Sequence, residues 1–188
     1  MAGLIVTIDG PAASGKSTAA RLLAEKLGAS FLDTGAMYRA VTLAAMQESV
    51  NLNSEEELLA VLQKSRFKFG IKEGKMKISI DGADATEQIR RPDVTANARY
   101  IAKAPKVREK LVEMQRNFAA DQERIVTEGR DQGTVAFPDA DVKFFLAADL
   151  IERARRRRAE LLARGSRESL EKIQKDIEER DKSDRDRD

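Results

Sequence analysis

The stretch of sequence that decides the fold runs from residue 4 to residue 18 and reads LIVTIDGPAASGKST. Its first five residues form a short apolar run rich in β-branched side chains, which is typical of a fully buried strand. Gly10–Ser17 then matches the pattern G-x-x-x-x-G-K-[ST], and apolar residues at helical spacing follow as far as Gly28. A strand, a glycine-containing loop and a helix in this order are the context that a phosphate-binding loop requires.

The residue types in this loop have distinct chemical uses. Gly10 and Gly15 allow backbone angles that turn successive N–H groups onto phosphate oxygens. Lys16 supplies a cation for the β- and γ-phosphates, and the Ser17 hydroxyl is a ligand for Mg²⁺. The loop therefore predicts a site for ATP or GTP with Mg²⁺. The predicted contacts come from Gly10, Pro11, Ala12, Ala13, Ser14, Gly15, Lys16, Ser17 and Thr18.

The rest of the chain predicts a single α/β domain over residues 1–188, with a three-layer fold of the P-loop NTPase type and a central parallel sheet. Around residue 66 an alternation of apolar and polar residues replaces the helical spacing, which predicts an antiparallel hairpin. Strands are predicted at 4–8, 30–33, 124–129 and 142–148, and helices at 36–47, 54–64, 93–103 and 105–121. The predicted parts are a core (about 1–65 and 92–148), a hairpin insert (about 66–91) and a charged helical lid or arm (about 149–188).

Composition excludes several kinds of chemistry. There are 34 Lys and Arg residues against 32 Asp and Glu, so the net charge of +2 gives no general case for binding nucleic acid or membranes. The chain has no Cys and no His, which excludes disulfides, thiolate chemistry, catalytic triads with an imidazole base and His-ligated metals. The apolar start, MAGLIVTIDG, is too short for a signal peptide or a membrane span, and the chain is predicted to be cytoplasmic.

Two further loops are expected to face the phosphate loop. In open parallel sheets, ligands gather beyond the carboxyl ends of the strands. DTGAMYR at 33–39 and EGRDQGT at 128–134 each follow a predicted strand. Their polar side chains are the candidates for holding the group that receives the phosphoryl: Thr34, Tyr38, Arg39, Glu128, Arg130 and Asp131.

These loops, taken with three other stretches, resemble the bacterial cytidylate kinases of the nucleoside monophosphate kinase group. The stretches that carry the resemblance are TIDGPAASGKST, DTGAMYR, PKVREKL, TEGRDQGTVAFPDA and ERDKSDRDRD. The hairpin at 66–81 is also similar to the insert that separates this family from adenylate kinases. The resemblance covers nearly the whole chain and implies transfer of the γ-phosphoryl group of ATP, with Mg²⁺, to CMP and dCMP, in pyrimidine nucleotide metabolism.

The resemblance also implies roles for the acceptor residues. Arg39 holds the α-phosphate of the acceptor, and Thr34 and Tyr38 shape the monophosphate pocket. Asp131 accepts the amino group of cytosine while Arg108 approaches the neighbouring acceptor atoms of the ring. Glu128 belongs to the same substrate site. Arg130 spans the phosphates of both substrates, and the catalytic set is Lys16, Arg130 and Arg157.

In the charged C-terminal region, the resemblance makes residues 152–165 a lid. Its arginines, including Arg153 and Arg157, close over ATP and exclude water. Arg180, Asp184 and Arg187 match the R-D-x-x-D-x-x-R pattern of the family, whose members use them on the phosphate and ribose of the acceptor. Without the resemblance, simpler interpretations apply, with Tyr38 in the core and with Arg39, Arg108 and the 152–165 run on solvated helix faces.

The sequence departs from the family pattern in two places. Arg99 stands in ANARYIA where the family has a Ser that contacts cytosine, and the terminal strand and helix of the family are not part of this sequence. A kinase of another monophosphate, such as UMP or AMP, therefore stays open, as does a non-catalytic nucleotide-binding module. The predicted partners are ATP and CMP or dCMP, with no nucleic acid and no membrane, and the protein is predicted to be a monomer.

Overall fold

The computed structural model describes residues 3–72, 75–163, 165 and 167–185. The strands are β1 (Leu4–Asp9), β2 (Ser30–Asp33), β3 (Phe67–Lys72), β4 (Lys75–Ile80), β5 (Ala83–Asp84), β6 (Arg124–Gly129) and β7 (Val142–Phe145). The helices are α1 (Lys16–Leu27), α2 (Thr34–Gln47), α3 (Glu55–Lys64), α4 (Pro92–Lys103), α5 (Pro105–Ala120), α6 (Leu150–Leu162) and α7 (Leu170–Arg185). Within these residues, no helix is long and apolar enough to cross a membrane.

The central sheet has the strand order β2-β6-β1-β7, and all of its neighbouring strands run parallel. The register places Asp9 of β1 beside Gly129 of β6, and Asp33 of β2 beside Glu128 of β6. The carboxyl ends of the strands therefore meet at one edge of the sheet. This edge carries the phosphate loop and the two loops that were expected to face it.

Helices pack on both faces of this sheet because successive residues of each strand point to opposite faces and leave apolar side chains on both. Val6 and Val126 point to one face, where they pack with Ala20 and Ala24 of α1. Leu32 and Ile125 point to the other face, where they join a larger core built with α2, α4 and α5. The predicted three-layer α/β fold is confirmed.

The insert is a three-stranded antiparallel sheet with the order β3-β4-β5. Phe69 pairs with Ile78 and Phe67 with Ile80, as the alternating pattern predicted. The third strand, β5, was not predicted, because two residues carry too little periodicity to be recognised. Ile78 and Ile80 are buried in the same core as the helices, so the insert packs firmly on the domain.

Two predicted boundaries in the core differ from the structure by two residues or more. Helix α2 begins at Thr34, two residues early, because the Asp33 side chain accepts a hydrogen bond from the Ala36 N–H at 2.9 Å and caps the helix. Strand β7 ends at Phe145, although the pattern favoured a strand as far as 148. Its partner β1 turns away into the phosphate loop after Asp9, so the ladder ends with Leu146 N donating to Asp9 O at 2.7 Å.

The charged C-terminal region is helical, as predicted. Helices α6 and α7 pack on each other through Ala154, Ile173 and Ile177, and Ala13 of the phosphate loop lies at the edge of this small core. The lid and the loop are therefore in contact in this structure. Strand β7 is one edge of the central sheet. On this strand, Phe144 is 51% exposed and Phe145 is 72% exposed.

Candidate active site

The loop between β1 and α1 owes its shape to residues with positive φ. Gly10 has a φ of 155° and Gly15 a φ of 93°, and a Cβ atom on Gly10 would lie 2.3 Å from the carbonyl oxygen of Leu146. Ala13 also has a φ of 58°, a left-handed conformation that costs a non-glycine residue about 1–2 kcal/mol. Backbones that alternate in this way expose N–H groups on one side, and the positive end of α1 adds to their attraction for anions.

Lys16 is the main cation of this loop. Its side chain is buried, with the residue only 6% exposed, and Nζ donates to the carbonyl oxygen of Pro11 at 3.1 Å. Burial, followed by the positive charge of Arg130, lowers the pKa of Lys16 to about 7, although Glu128 acts in the opposite direction. Arg180 also contributes positive charge there. The positive charges of Arg130 and Arg180 next to Lys16 suit the binding of a polyphosphate.

Ser17 and Glu128 form a cluster of oxygen donors beside Lys16. The Ser17 hydroxyl donates to Glu128 Oε1 at 2.5 Å. Burial, followed by the negative charge of Asp33, raises the pKa of the Glu128 carboxyl. A hydroxyl and carboxylates next to a phosphate loop are the donors that Mg²⁺ prefers, since this ion takes one or two protein oxygens together with phosphate oxygens. The residues present therefore fit the predicted ion.

The loop after β2 joins this cluster through two contacts. Thr34 is buried, and its hydroxyl donates to the backbone oxygen of Glu128 at 2.7 Å. The guanidinium of Arg39 lies 3.2 Å from Asp33 Oδ2. Tyr38 is half-buried and packs at the margin of the large core. The structure thus brings Arg39 to the carboxyl edge of the sheet, while Thr34 ties two loops together.

Arg108 and Asp131 form an ion pair. Arg108 lies near the start of α5 and Asp131 in the loop after β6, and their closest atoms, Nη2 and Oδ2, are 2.9 Å apart. Both side chains are partly buried, so Arg108 is not an isolated residue on a solvated helix face. The two residues expected to read cytosine thus come together from positions 23 residues apart in the chain.

Arg130 links the loop after β6 to α7. Its Nε donates to Asp184 Oδ2 at 2.8 Å and its Nη1 to the Gly129 carbonyl at 3.1 Å. The positive charge of Arg180 reaches Lys16, so α7 brings two of the three predicted C-terminal residues to the site. The third, Arg187, lies outside the described residues.

Helix α6 touches the phosphate loop through Arg153 and Arg156. The buried Arg153 donates to the Ala12 carbonyl at 3.2 Å and to Asp181 Oδ2 at 2.6 Å. Arg156 Nη1 donates to the Ser14 carbonyl at 3.4 Å. Arg157 instead forms an ion pair with Glu160 on its own helix at 3.1 Å, so its contact with ATP stays a prediction. Sequence reasoning missed Arg156 because a run of four arginines does not show which one faces the loop.

Sequence reasoning also missed two carboxylates. Asp33 caps α2 and pairs with Arg39. Asp9 accepts hydrogen bonds from the backbone N–H groups of Gln132 at 2.9 Å and Gly133 at 2.8 Å. Each aspartate is the last residue of a parallel strand, so the rule that selected the neighbouring loops could have selected both. Arg99, which stands where a family Ser was expected, is exposed and stacks over the Tyr100 ring at 5.0 Å.

The sequence was compared with known proteins. Residues 6–188 match the family model described as Cytidylate kinase. The chain is 43% identical over 182 residues to a cytidylate kinase of Bacillus cytotoxicus, an alignment that covers 97% of this chain and 80% of that protein. It is 48% identical over 181 residues to a cytidylate kinase of Pelotomaculum thermopropionicum, with 95% and 79% covered.

A distant match is also found among solved structures. The crystal structure of TT1252 from Thermus thermophilus aligns with a TM-score of 0.42 and 22% sequence identity. The alignment covers 92% of this chain and 78% of that chain. A likeness at this level adds nothing to the sequence matches.

Proposed function

This chain belongs to the cytidylate kinase family, and we propose that the site described above transfers the γ-phosphoryl group of ATP to CMP or dCMP. As a member of the family, the protein is an ATP-dependent phosphotransferase. The observation that carries the proposal is the meeting of two features at one edge of the sheet. These are the phosphate loop with its buried Lys16 and, beyond β6, the Arg108–Asp131 pair.

On the donor side, the loop 10–17 would hold the β- and γ-phosphates with its N–H groups and with Lys16. Because burial and Arg130 depress the pKa of Lys16, a bound polyphosphate would stabilise the protonated lysine. Ser17 and Glu128 would hold Mg²⁺, whose contribution is to neutralise charge on the phosphate oxygens. Their hydroxyl and carboxylate are already 2.5 Å apart.

On the acceptor side, Asp131 and Arg108 would read the base. Cytosine presents an amino donor beside acceptor atoms, which matches a carboxylate next to a guanidinium. Uracil has a carbonyl in place of the amino group, so its oxygen would face the Asp131 carboxylate without a proton between them. An unpaired buried acceptor costs about 1–3 kcal/mol, which supports a preference for CMP.

The phosphate and ribose of the acceptor are assigned to residues around this pair. Arg39, held by Asp33, would bind the α-phosphate together with Arg180. Asp184 would approach the ribose, and Arg187 completes the proposed set. In the structure Asp184 accepts a hydrogen bond from Arg130. The incoming acceptor would therefore replace Arg130 as a partner of Asp184.

The transfer itself would depend on positioning and on charge neutralisation, because phosphoryl transfer asks for little covalent chemistry from the protein. Lys16 and Arg130 lie close enough for the charge of Arg130 to depress the lysine pKa. Both would face the γ-phosphoryl group as its charge develops. Arg157 would join them from the lid, exchanging its ion pair with Glu160 for a contact with ATP.

The test is a coupled assay with ATP and Mg²⁺ and a panel of acceptors: CMP, dCMP, UMP and AMP. We expect transfer to CMP and dCMP, and a kcat/KM for UMP lower by about tenfold or more. A higher kcat/KM with UMP or AMP would replace the cytosine assignment. Nucleotide binding without transfer to any acceptor would favour a non-catalytic module.

Three further features complete the proposal. We infer that the protein is cytoplasmic from its lack of cysteine, and that it does not bind nucleic acid from its net charge of +2. We also infer that it is a monomer. Gel filtration with light scattering gives the mass in solution, which can be compared with 20.9 kDa for one chain. A salt-dependent affinity for single-stranded nucleic acid would contradict the last of these inferences.

A further inference from the structure

Asp9 is a buried carboxylate between the phosphate loop and the loop that carries Arg130 and Asp131. It is the last residue of β1, directly before Gly10, and it is 7% exposed. Its Oδ1 accepts a hydrogen bond from Gln132 N at 2.9 Å, and its Oδ2 accepts one from Gly133 N at 2.8 Å. Both carboxylate oxygens are therefore engaged by the backbone immediately after Asp131.

These two N–H groups begin a short π-helical turn over Gln132–Ala136. The first N–H groups of a helical turn have no partner within it, and a carboxylate placed there satisfies them and complements their positive dipoles. Within the turn, the Asp131 carbonyl oxygen accepts a hydrogen bond from Val135 N at 2.8 Å. The position of Asp131 is thus coupled to the turn that Asp9 holds.

Neighbouring side chains keep this turn from shifting. The side-chain Oε1 of Gln132 accepts a hydrogen bond from the Thr127 hydroxyl at 2.7 Å, and its side-chain Nε2 donates to Gln115 Oε1 at 3.1 Å. A Cβ atom on Gly133 would lie 2.8 Å from Thr7 Oγ1, so the backbone already sits closely against β1. Of these contacts, only Asp9 bonds the backbone N–H groups nearest to Asp131.

We propose that Asp9 is a positioning residue for the acceptor: by holding the turn at Gln132 and Gly133, it sets where Asp131 and Arg130 meet the incoming monophosphate. This inference rests on the proposed function, and it adds a residue of the donor strand to the determinants of base selectivity. The backbone of Asp9 pairs separately with β6 and with Leu146 N. A change of its side chain should therefore disturb the acceptor more than the phosphate loop.

The direct test is Asp9→Asn, which keeps the shape but turns one acceptor oxygen into an amino group that faces an N–H donor. We expect the KM for CMP to rise about tenfold and the CMP:UMP ratio of kcat/KM to fall by a similar factor, with the KM for ATP within about threefold of wild type. Thr7→Val is the matched control, because it alters another buried polar group of β1 that touches the same turn. This control should leave the ratio unchanged.

A double substitution tests whether Asp9 acts through Asp131. In the Asp131→Asn background, Asp9→Asn should lower the CMP:UMP ratio little further. If Asp9→Asn does not fold, as judged by circular dichroism and ATP titration, Gly133→Ala displaces the same turn by placing a Cβ against Thr7 Oγ1 and should give the same pattern. Equal increases in KM for ATP and CMP, or an unchanged ratio in a folded variant, would overturn the inference.

The wild-type assay separates the two proposals. If the wild type transfers phosphoryl to CMP and the Asp9 variant shows no acceptor-specific loss, only the role of Asp9 fails. If the wild type prefers another monophosphate, the proposed function fails, and the acceptor KM of the Asp9 variant is measured with that substrate instead. Absence of transfer by the wild type to every acceptor would end both proposals.

Discussion

The phosphate loop has its proposed binding groups on eight consecutive residues, Gly10–Ser17, whereas the proposed acceptor side combines charged side chains from α2, α5, α7 and the loop after β6. The charges of the two regions also differ. Arg108 is paired with Asp131 and Arg130 with Asp184, whereas the Lys16 ammonium donates to a backbone carbonyl. The donor side is therefore suited to a highly charged anion. On the acceptor side, a ligand would have to replace one partner in each existing ion pair that it uses.

This difference indicates which groups would supply the binding energy for nucleotides and which would supply selectivity among acceptors. Backbone N–H groups and a lysine recognise polyphosphate of any nucleotide, because they do not depend on the base. Selectivity in the proposed site would come from side chains whose pairing depends on several packed elements. Substitutions on the donor side should therefore abolish transfer for all acceptors, while those on the acceptor side should change which acceptor is used.

The largest effect is expected from Lys16→Ala. Loss of this cation should lower kcat by about 10²–10³-fold for every acceptor, since it removes a charge aimed at the transferring phosphoryl group. The fold should persist, because a buried lysine with a lowered pKa does not stabilise the protein through its charge. Turnover and thermal unfolding measure the two effects, and Lys26→Ala, on the exposed side of α1, is the control. Near-wild-type turnover in a folded Lys16→Ala protein would contradict the proposed difference between the donor and acceptor sides.

Asp131→Asn should change selectivity and leave the donor side unaffected. An amide can turn either its carbonyl or its amino group toward position 4 of the base, so the CMP:UMP ratio should fall about tenfold. The measurement is kcat/KM for both acceptors, with Glu109→Gln on the exposed face of α5 as the control. An unchanged ratio would remove Asp131 from the base pocket.

A dependence on pH should appear on the donor side. In the free protein the pKa of Lys16 is about 7, and bound phosphate should raise it, so ATP binding takes up a proton above that pH. Affinity for ATP should then fall roughly fivefold from pH 7 to pH 8 if the bound lysine stays protonated. Calorimetry in buffers of different ionisation enthalpy measures the uptake. Proton uptake of the same size in Lys16→Ala would assign it to another group.

The lowered pKa of Lys16 also predicts how the free energy of unfolding depends on pH in the absence of nucleotide. The folded pKa of Lys16 lies below its unfolded value of 10.5, so between these values the unfolded state binds more protons. The contribution of Lys16 to stability should therefore rise with pH from about 7 toward 10. Comparing wild type with Lys16→Ala by denaturant titration isolates this contribution, and parallel pH profiles would contradict the assignment.

The smallest effect is expected from the lid. Arg156→Ala removes a partly buried hydrogen bond to the Ser14 carbonyl, so the KM for ATP should rise by about threefold with little change in the KM for CMP. Arg157→Ala, one residue along the helix, is the matched comparison. A large loss of kcat in that variant would support its proposed catalytic role, whereas wild-type behaviour would argue against that role.

Much of the fold followed from local patterns. The alternating residues of the insert and the helical spacing of α4 and α5 depend on a few neighbouring residues, and these elements lie where they were predicted. The end of β7 was misplaced, because the strand stops where its partner β1 enters the phosphate loop and no longer offers a ladder. The π-helical turn after Asp131 was not predicted, since two of its N–H groups are satisfied by a residue more than 120 positions away.

By itself, the sequence LIVTIDGPAASGKST determined the strand, the loop and the helix of the donor side, because a buried strand, glycines with positive φ and a helix start are local properties. The resemblance also named the pair that is proposed to read the base. Only the tertiary structure decided which side chains hold these groups in place. Asp9 bonding the turn at Gln132 and Arg156 facing the phosphate loop both depend on how separate elements pack, which no periodicity in one segment records.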